Sequence, residues 1–227
     1  MSASAAMQEY LAEAYRLAYY QSDNPYISTS ALANALGHSA PAITRMVQRL
    51  KEAGYVEHEP YRGIYLTPAG EREALMNIRR HRLVESFLVN VMRFGWHEVH
   101  DQADVLGEAV SDMMVERMEK MADYPRRCPH GEPIPTADGR MPRVVDFPLN
   151  EAEPGRDYVV SRVSTHEEKM LEYIEQINLK PGTRFHLVSL APFNGPLQLT
   201  IGEATQVIGH ELAGVLRVCS PDQFDLR

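Results

Sequence analysis

Cysteine is scarce in this chain. The 227 residues hold two, Cys128 and Cys219, far apart in sequence. A disulfide framework is therefore not expected, and a reducing cytoplasm fits. No run of 18 apolar residues occurs, so no transmembrane helix is expected. The opening residues MSASAAMQEY lack the basic and apolar regions of a secretory signal. No nucleophile with an oxyanion hole and no phosphate-binding glycine loop is recognisable, so the chain is not expected to be an enzyme. A further absence is local. Net charge is −8, yet Asn24 to Lys51 contains no acidic residue and does contain Arg45, Arg49 and Lys51. A surface that faces phosphates needs such a stretch, because each nearby carboxylate would oppose binding.

Helical periodicity is present from about residue 5 to 21, with Leu11, Tyr15 and Ala18 on one face. Asn24-Pro25 ends it. Ser28 is placed to cap a short helix that stops at Gly37, and Ser39 to cap a second one with Pro41 in its first turn. The second helix turns Ile43, Val47 and Leu50 to one side. Two short strands, YVEHE and GIYLT, flank Pro60 to Gly63 and predict a hairpin. A long helix is predicted over about 68–94 and another from Trp96 to about Met121. Tyr124 to Gly155 is rich in proline and glycine and predicts a linker or irregular segment. DYVVSRV, TRFHLVSL, GPLQLTI and AGVLRV then predict strands, with THEEKMLEYIEQI a helix among them. A small, partly closed β-barrel with one helix follows.

Two short helices joined by a glycine turn and followed by a hairpin make a winged helix-turn-helix. Its second helix would enter the major groove of double-stranded DNA. Ser39, Pro41, Ala42, Thr44, Arg45 and Arg49 on it are the candidate DNA-binding residues, with Arg62 on the wing. Arginine reads guanine edges or phosphates, hydroxyls bond either, and alanine can touch a thymine methyl.

The next two helices carry a different pattern. His81 and Glu85 are four residues apart, and so are His100, Asp104 and Glu108 in succession. Residues four apart share a helix face, so two facing helices can offer imidazoles and carboxylates to one gap. Glu9, on the first helix, could add another carboxylate. Such a donor set suits Mn²⁺, Fe²⁺ or Zn²⁺. His97, one turn before His100, is either a further candidate or an ordinary surface histidine. Cys128-Pro-His130 has no partner pair and reads as structural. Leu106, Val110, Met113, Met114, Met118 and Met121, with Phe87 and Val91, exceed what a short helical pair can bury and predict a homodimer.

The stretches LGHSAPAITRMVQRLKEAGYV and YRGIYLTPAG resemble the diphtheria toxin repressor family of metal-dependent regulators. The resemblance continues through RRHRLVESFL, VHDQADVLGEAVSD and CPHGEPIP. It implies a mainly α fold with small β parts, in three domains. These are a winged helix-turn-helix DNA-binding domain (1–74), a helical metal-binding and dimerisation domain (75–148), and a C-terminal SH3-like (FeoA-like) β-barrel (149–227). It implies control of manganese or iron homeostasis genes, Mn²⁺ (or Fe²⁺) as cofactor with two sites per subunit, and operator DNA as partner. His81, Glu85 and His100 fall on the family's ancillary-site positions, and Glu9 and Asp104 on primary-site positions. Gly107-Glu108 stands where a Glu-His pair is usual, and Ala12 where manganese-type members use glutamate. A winged-helix regulator that senses an organic ligand is the alternative reading. A mononuclear metalloenzyme is the reading from another class.

Overall fold

The computed structural model describes residues 3–19, 21 and 24–225. The chain forms two compact units, one of Met1–Arg80 with Pro135–Met141, the other of His81–Ile134 with Pro142–Arg227.

In the first unit, α1 (Ala5–Tyr19) buries Tyr10, Leu11, Ala12 and Ala14. It ends before residue 21; residue 20, within the helix expected from the sequence, lies outside the described residues. Helix α2 (Thr29–Leu36) begins where the Ser28 hydroxyl accepts from the Ala31 amide and ends at Gly37, whose φ of 63° favours glycine. Helix α3 (Ala40–Glu52) has proline in its first turn, but Ser39 makes no side-chain capping bond. Ile43, Val47 and Leu50 of α3 pack with Leu11, Leu32, Val56 and Ile64 in one core. Strands β1 (Val56–Glu59) and β2 (Gly63–Leu66) pair antiparallel. Ile27 exchanges backbone hydrogen bonds with Ile64, of 2.7 and 2.9 Å, and so adds a one-residue bridge to the wing.

Helix α4 (Pro68–Asn90) opens with proline, where a missing N–H costs nothing. The Thr67 hydroxyl donates to the Gly54 carbonyl and accepts from the Gly70 amide. A Cβ on Gly70 would fall 1.9 Å from the Tyr55 carbonyl oxygen. Gly70→Ala is therefore expected to lower stability by about 1–3 kcal/mol, although alanine is the better helix former. Urea unfolding checks this, and an unchanged or raised midpoint would contradict the close approach.

In the second unit the helix expected from Trp96 to Met121 is two helices, α5 (Val99–Ala109) and α6 (Asp112–Met121). Ser111 caps α6 by accepting from the Met114 amide, and this local bond competes with a continuous helix. Likewise α4 stops short of residue 94 because Arg93 adopts a left-handed conformation, φ 65°. Leu83, Val84, Leu88, Val99, Ala103, Val110, Val115 and Met118 form the helical core.

The remaining elements are β3 (Phe147–Pro148), β4 (Arg156–Val163), α7 (Glu168–Gln176), β5 (Arg184–Leu190), β6 (Leu197–Ile201), β7 (Ala204–Ile208), α8 (His210–Val215) and β8 (Leu216–Cys219). The strands make one antiparallel sheet in the order β3-β8-β4-β5-β6-β7. The expected barrel is not closed: among the described residues the outer strands β3 and β7 do not pair. Register shifts after Val160 and Leu187 bend the sheet, but β3 is only two residues long and offers little edge for closure. The sequence reading also passed over β7 and α8.

The proline-rich segment is irregular yet pinned. Arg82 donates to the Pro133 carbonyl and the Glu132 carboxylate, and Arg127 to the carbonyls of Gly131 and Phe224. Arg162 joins Glu132 to Asp146.

Candidate metal centre and DNA-facing residues

Helix α4 presents His81 and Glu85 one turn apart, and both are buried. Helix α5 brings His100 to them. His81 Nε2 lies 3.1 Å from Glu85 Oε1, His100 Nδ1 lies 3.2 Å from the same oxygen, and the two nitrogens are 3.2 Å apart. A divalent ion with bonds of about 2.0–2.2 Å holds adjacent ligands about 3.0–3.4 Å apart. The three donor atoms already stand at that spacing, so the residues fit such an ion.

The second ring nitrogen of His81 is 2.9 Å from Asp104 Oδ1. One imidazole thus links the triangle to the next carboxylate on α5. Asp104 is itself largely exposed, and Glu108, one turn further, is exposed as well. Gly107 lies between them, and a Cβ there would meet nothing within 4 Å. Glu9 is on α1, in the first unit, and exposed.

Three residues that the sequence reading left outside the site stand next to it. His130 is buried, and its Nε2 is 2.8 Å from the Trp96 carbonyl oxygen. A carbonyl only accepts, so that nitrogen donates. Its Nδ1 faces Glu85 Oε1 at 3.5 Å with no hydrogen-bond partner. Cys128 places its sulfur within 4.8 Å of donor atoms of Glu85 and His130. Without a metal, burial together with the Glu85 charge pushes the Cys128 thiol well above its ordinary range; Glu85, Cys128 and His130 still stand together as a second candidate donor group. His166, ahead of α7, stacks on His100 with ring centres 3.9 Å apart. No i,i+4 spacing marks either histidine. For His130 the CPH tripeptide was a signal, but it names no partner.

Burial alone would push the His81 imidazole down. The Glu85 carboxylate and the Asp104 hydrogen bond outweigh it and leave His81 raised to about 9. Burial likewise pushes Glu85 up, and the His81 charge with the hydrogen bonds from His100 and His81 holds it well below the usual carboxylate range. A metal at His81 Nε2 must displace a proton. Apparent metal affinity should therefore rise about tenfold per pH unit across the neutral range and flatten near pH 9. Calorimetric titration in buffers of different ionisation enthalpy measures the released proton. A pH-independent affinity would mean that His81 is not a ligand.

Of the residues expected to face DNA, Ser39, Pro41, Thr44, Arg45 and Arg49 are exposed on or at the start of α3, and Ala42 is half-buried. The Thr44 hydroxyl donates to the Ala40 carbonyl at 2.9 Å, which leaves it an acceptor toward solvent. Arg62 stacks over the Tyr26 ring at 3.9 Å and pairs with Glu59 at 3.1 Å, so it is held against the wing. The fully exposed residue at the wing tip is Tyr61.

Three family models match the chain in succession. They are the iron-dependent repressor N-terminal DNA-binding domain over residues 3–64, the iron-dependent repressor metal-binding and dimerisation domain over 67–136, and the FeoA domain over 147–218. A solved structure of a manganese-dependent transcriptional repressor in complex with manganese superposes with a TM-score of 0.85 at 35% identity, covering 94% of this chain and 99% of that one. The chain belongs to the diphtheria toxin repressor family. The diphtheria toxin repressor of Corynebacterium glutamicum is 26% identical over 198 residues, 82% of this chain and 85% of that protein. A structure of the manganese regulator SloR superposes with a TM-score of 0.72 at 30% identity and covers 94% of this chain and 98% of its own.

Proposed function

We propose that the protein is a metal-gated DNA-binding transcriptional regulator of manganese and iron homeostasis. The observation that carries this reading is the His81–Glu85–His100 triangle, in a chain whose first unit is a winged helix. One ion would be held by His81, Glu85 and His100. A second would engage Asp104 and Glu108, with Glu9 retained on the strength of its place in the family pattern. When bound, the metal supplies charge and fixed coordination. The chain's own part is to hold buried donors at ligand spacing and to keep His81 between the triangle and Asp104. Metal that binds the DNA-competent state more tightly raises its population, and no more is needed for gating. The protein is a cytoplasmic homodimer in this reading, and no helix among the described residues is long and apolar enough to cross a membrane. Met113, Met114 and Met121 remain exposed on or next to α6 and offer an apolar face for the second copy, whereas Val110 and Met118 are spent in the core.

The oxygen-rich second site favours Mn²⁺ as the activating ion at equal occupancy, although affinity order alone would favour later ions. The test is operator binding to the promoter region of the protein's own gene, with Mn²⁺, Fe²⁺, Zn²⁺ or no metal, alongside directly counted bound ion. Tight binding only with metal, and an Mn²⁺ response lost in Asp104→Ala, are the expected results. Equal binding after exhaustive metal removal would overturn the reading.

A further inference from the structure

We infer that His97, Glu168 and Glu172 form another divalent-cation site, separate from the centre at Glu85. His97 stands in the turn between α4 and α5. Glu168, Glu172 and Glu175 are spaced by four and three residues along α7 and so share one of its faces. Donor atoms of His97, Glu168 and Glu172 all lie within 4.8 Å of one another.

The geometry around the imidazole is specific. His97 Nε2 is 3.8 Å from Glu172 Oε1, and His97 Nδ1 is 3.9 Å from Glu175 Oε2. Both separations exceed a hydrogen bond. Nδ1 is nevertheless fully enclosed and has no hydrogen-bond partner. The other oxygen of Glu175 is held by Lys180 at 2.7 Å. A metal-bound histidine commonly donates its far N–H to an anchored carboxylate, and Glu175 is the carboxylate nearest that nitrogen for such a role. With the proton on Nδ1, the lone pair of Nε2 faces Glu172. A shift of under about 1 Å closes the Nδ1–Glu175 contact to hydrogen-bond length.

Gly95 makes the ring position possible. A Cβ there would fall 2.5 Å from His97 Cε1 and 2.9 Å from Nδ1. Glu168 and Glu172 repel each other as like charges four apart on a helix, and a cation between them removes that cost. One imidazole with two carboxylates suits Zn²⁺ or Mn²⁺, with water completing the coordination. The ion would tie the turn leading into α5, the helix that carries His100, to α7 of the FeoA-type region.

The test counts bound metal in the full-length protein by equilibrium dialysis, against Zn²⁺ and separately against Mn²⁺. The variants are Glu172→Gln, His97→Asn, Glu85→Gln and the Glu172→Gln/Glu85→Gln double. Glu172 is half-exposed, so its glutamine variant is expected to melt like the wild type without metal. Glu172→Gln and His97→Asn should each lose one ion per chain, or weaken one at least tenfold. Glu85→Gln should lose a different ion, and the double variant both. Wild-type stoichiometry and affinity in Glu172→Gln would overturn the inference, as would a double variant that loses no more than Glu85→Gln. If Glu85→Gln alone keeps its full complement, the assignment of the first centre fails while this one stands.

Discussion

Glu85→Gln is expected to weaken metal binding at the first centre by more than about a hundredfold, since losing even an outer-shell partner costs ten- to a hundredfold. It is also expected to destabilise the metal-free protein by about 3–5 kcal/mol in mildly acidic solution, the usual result of removing one member of a buried ion pair. The substitution keeps the shape of the side chain, so the loss is one of charge and not of packing. Glu85 is 2% exposed and faces nitrogens of His81, His100 and His130. His81, raised to about 9, contributes its share fully below the ordinary histidine value of 6.5, and that share fades as pH rises through about 9. Glu85 is held low, so its share is present above the ordinary 4.5 and fades only in stronger acid. The pair is thus at full strength between roughly pH 5 and 6.5. Urea unfolding of the metal-free proteins should show the largest penalty there and a smaller one above pH 9. An equal penalty at both would mean that Glu85 does not hold His81 charged.

Arg45→Ala is the second large effect expected, a loss of about 1–3 kcal/mol in operator affinity with metal present. Arg45 is exposed in the N-terminal half of α3, and no acidic residue occurs from Asn24 to Lys51. A bidentate contact to a guanine edge would relax preference at one base pair and leave the salt dependence nearly unchanged. A phosphate contact would weaken all sequences alike and reduce the salt slope by about one. Titration on the operator and on a scrambled duplex at several salt concentrations separates these. Unchanged affinity and slope would place α3 outside the groove.

The helices of the first unit were legible because their ends carry local chemistry, Ser28 and Gly37 for α2 and Pro41 for α3. The break at Val110–Ser111 was also written locally, as a serine–aspartate start signal, but the apolar spacing that runs across it masked it. The open sheet was not legible, because closure depends on how edge strands meet and no residue pattern states that. Spacing along single helices pointed to His81, Glu85, His100, Asp104 and Glu108. It said nothing of His130 and His166, which reach the triangle from an irregular segment and from the loop before α7. Nor could it show that His81 touches Asp104, since this depends on side-chain conformation.

The bridge between Ile27 and Ile64 has a mechanical consequence. Gly63, with φ 116°, lets the wing lie so close to the chain ahead of α2 that a Cβ would fall 2.4 Å from the Ile27 carbonyl oxygen. Val56, Ile64 and Ile27 then share one core with α3. A wing sewn to its own helices cannot swing to find a groove; it can only be carried there with them. In the proposed DNA-binding role, stiffness of this kind would turn small rotations of the whole head into shifts of α3 and the wing at once, and a poor site would be met by bending of the duplex. Slow amide exchange at Ile27 and Ile64, matching that of Leu50 in α3, is the signature of such a head.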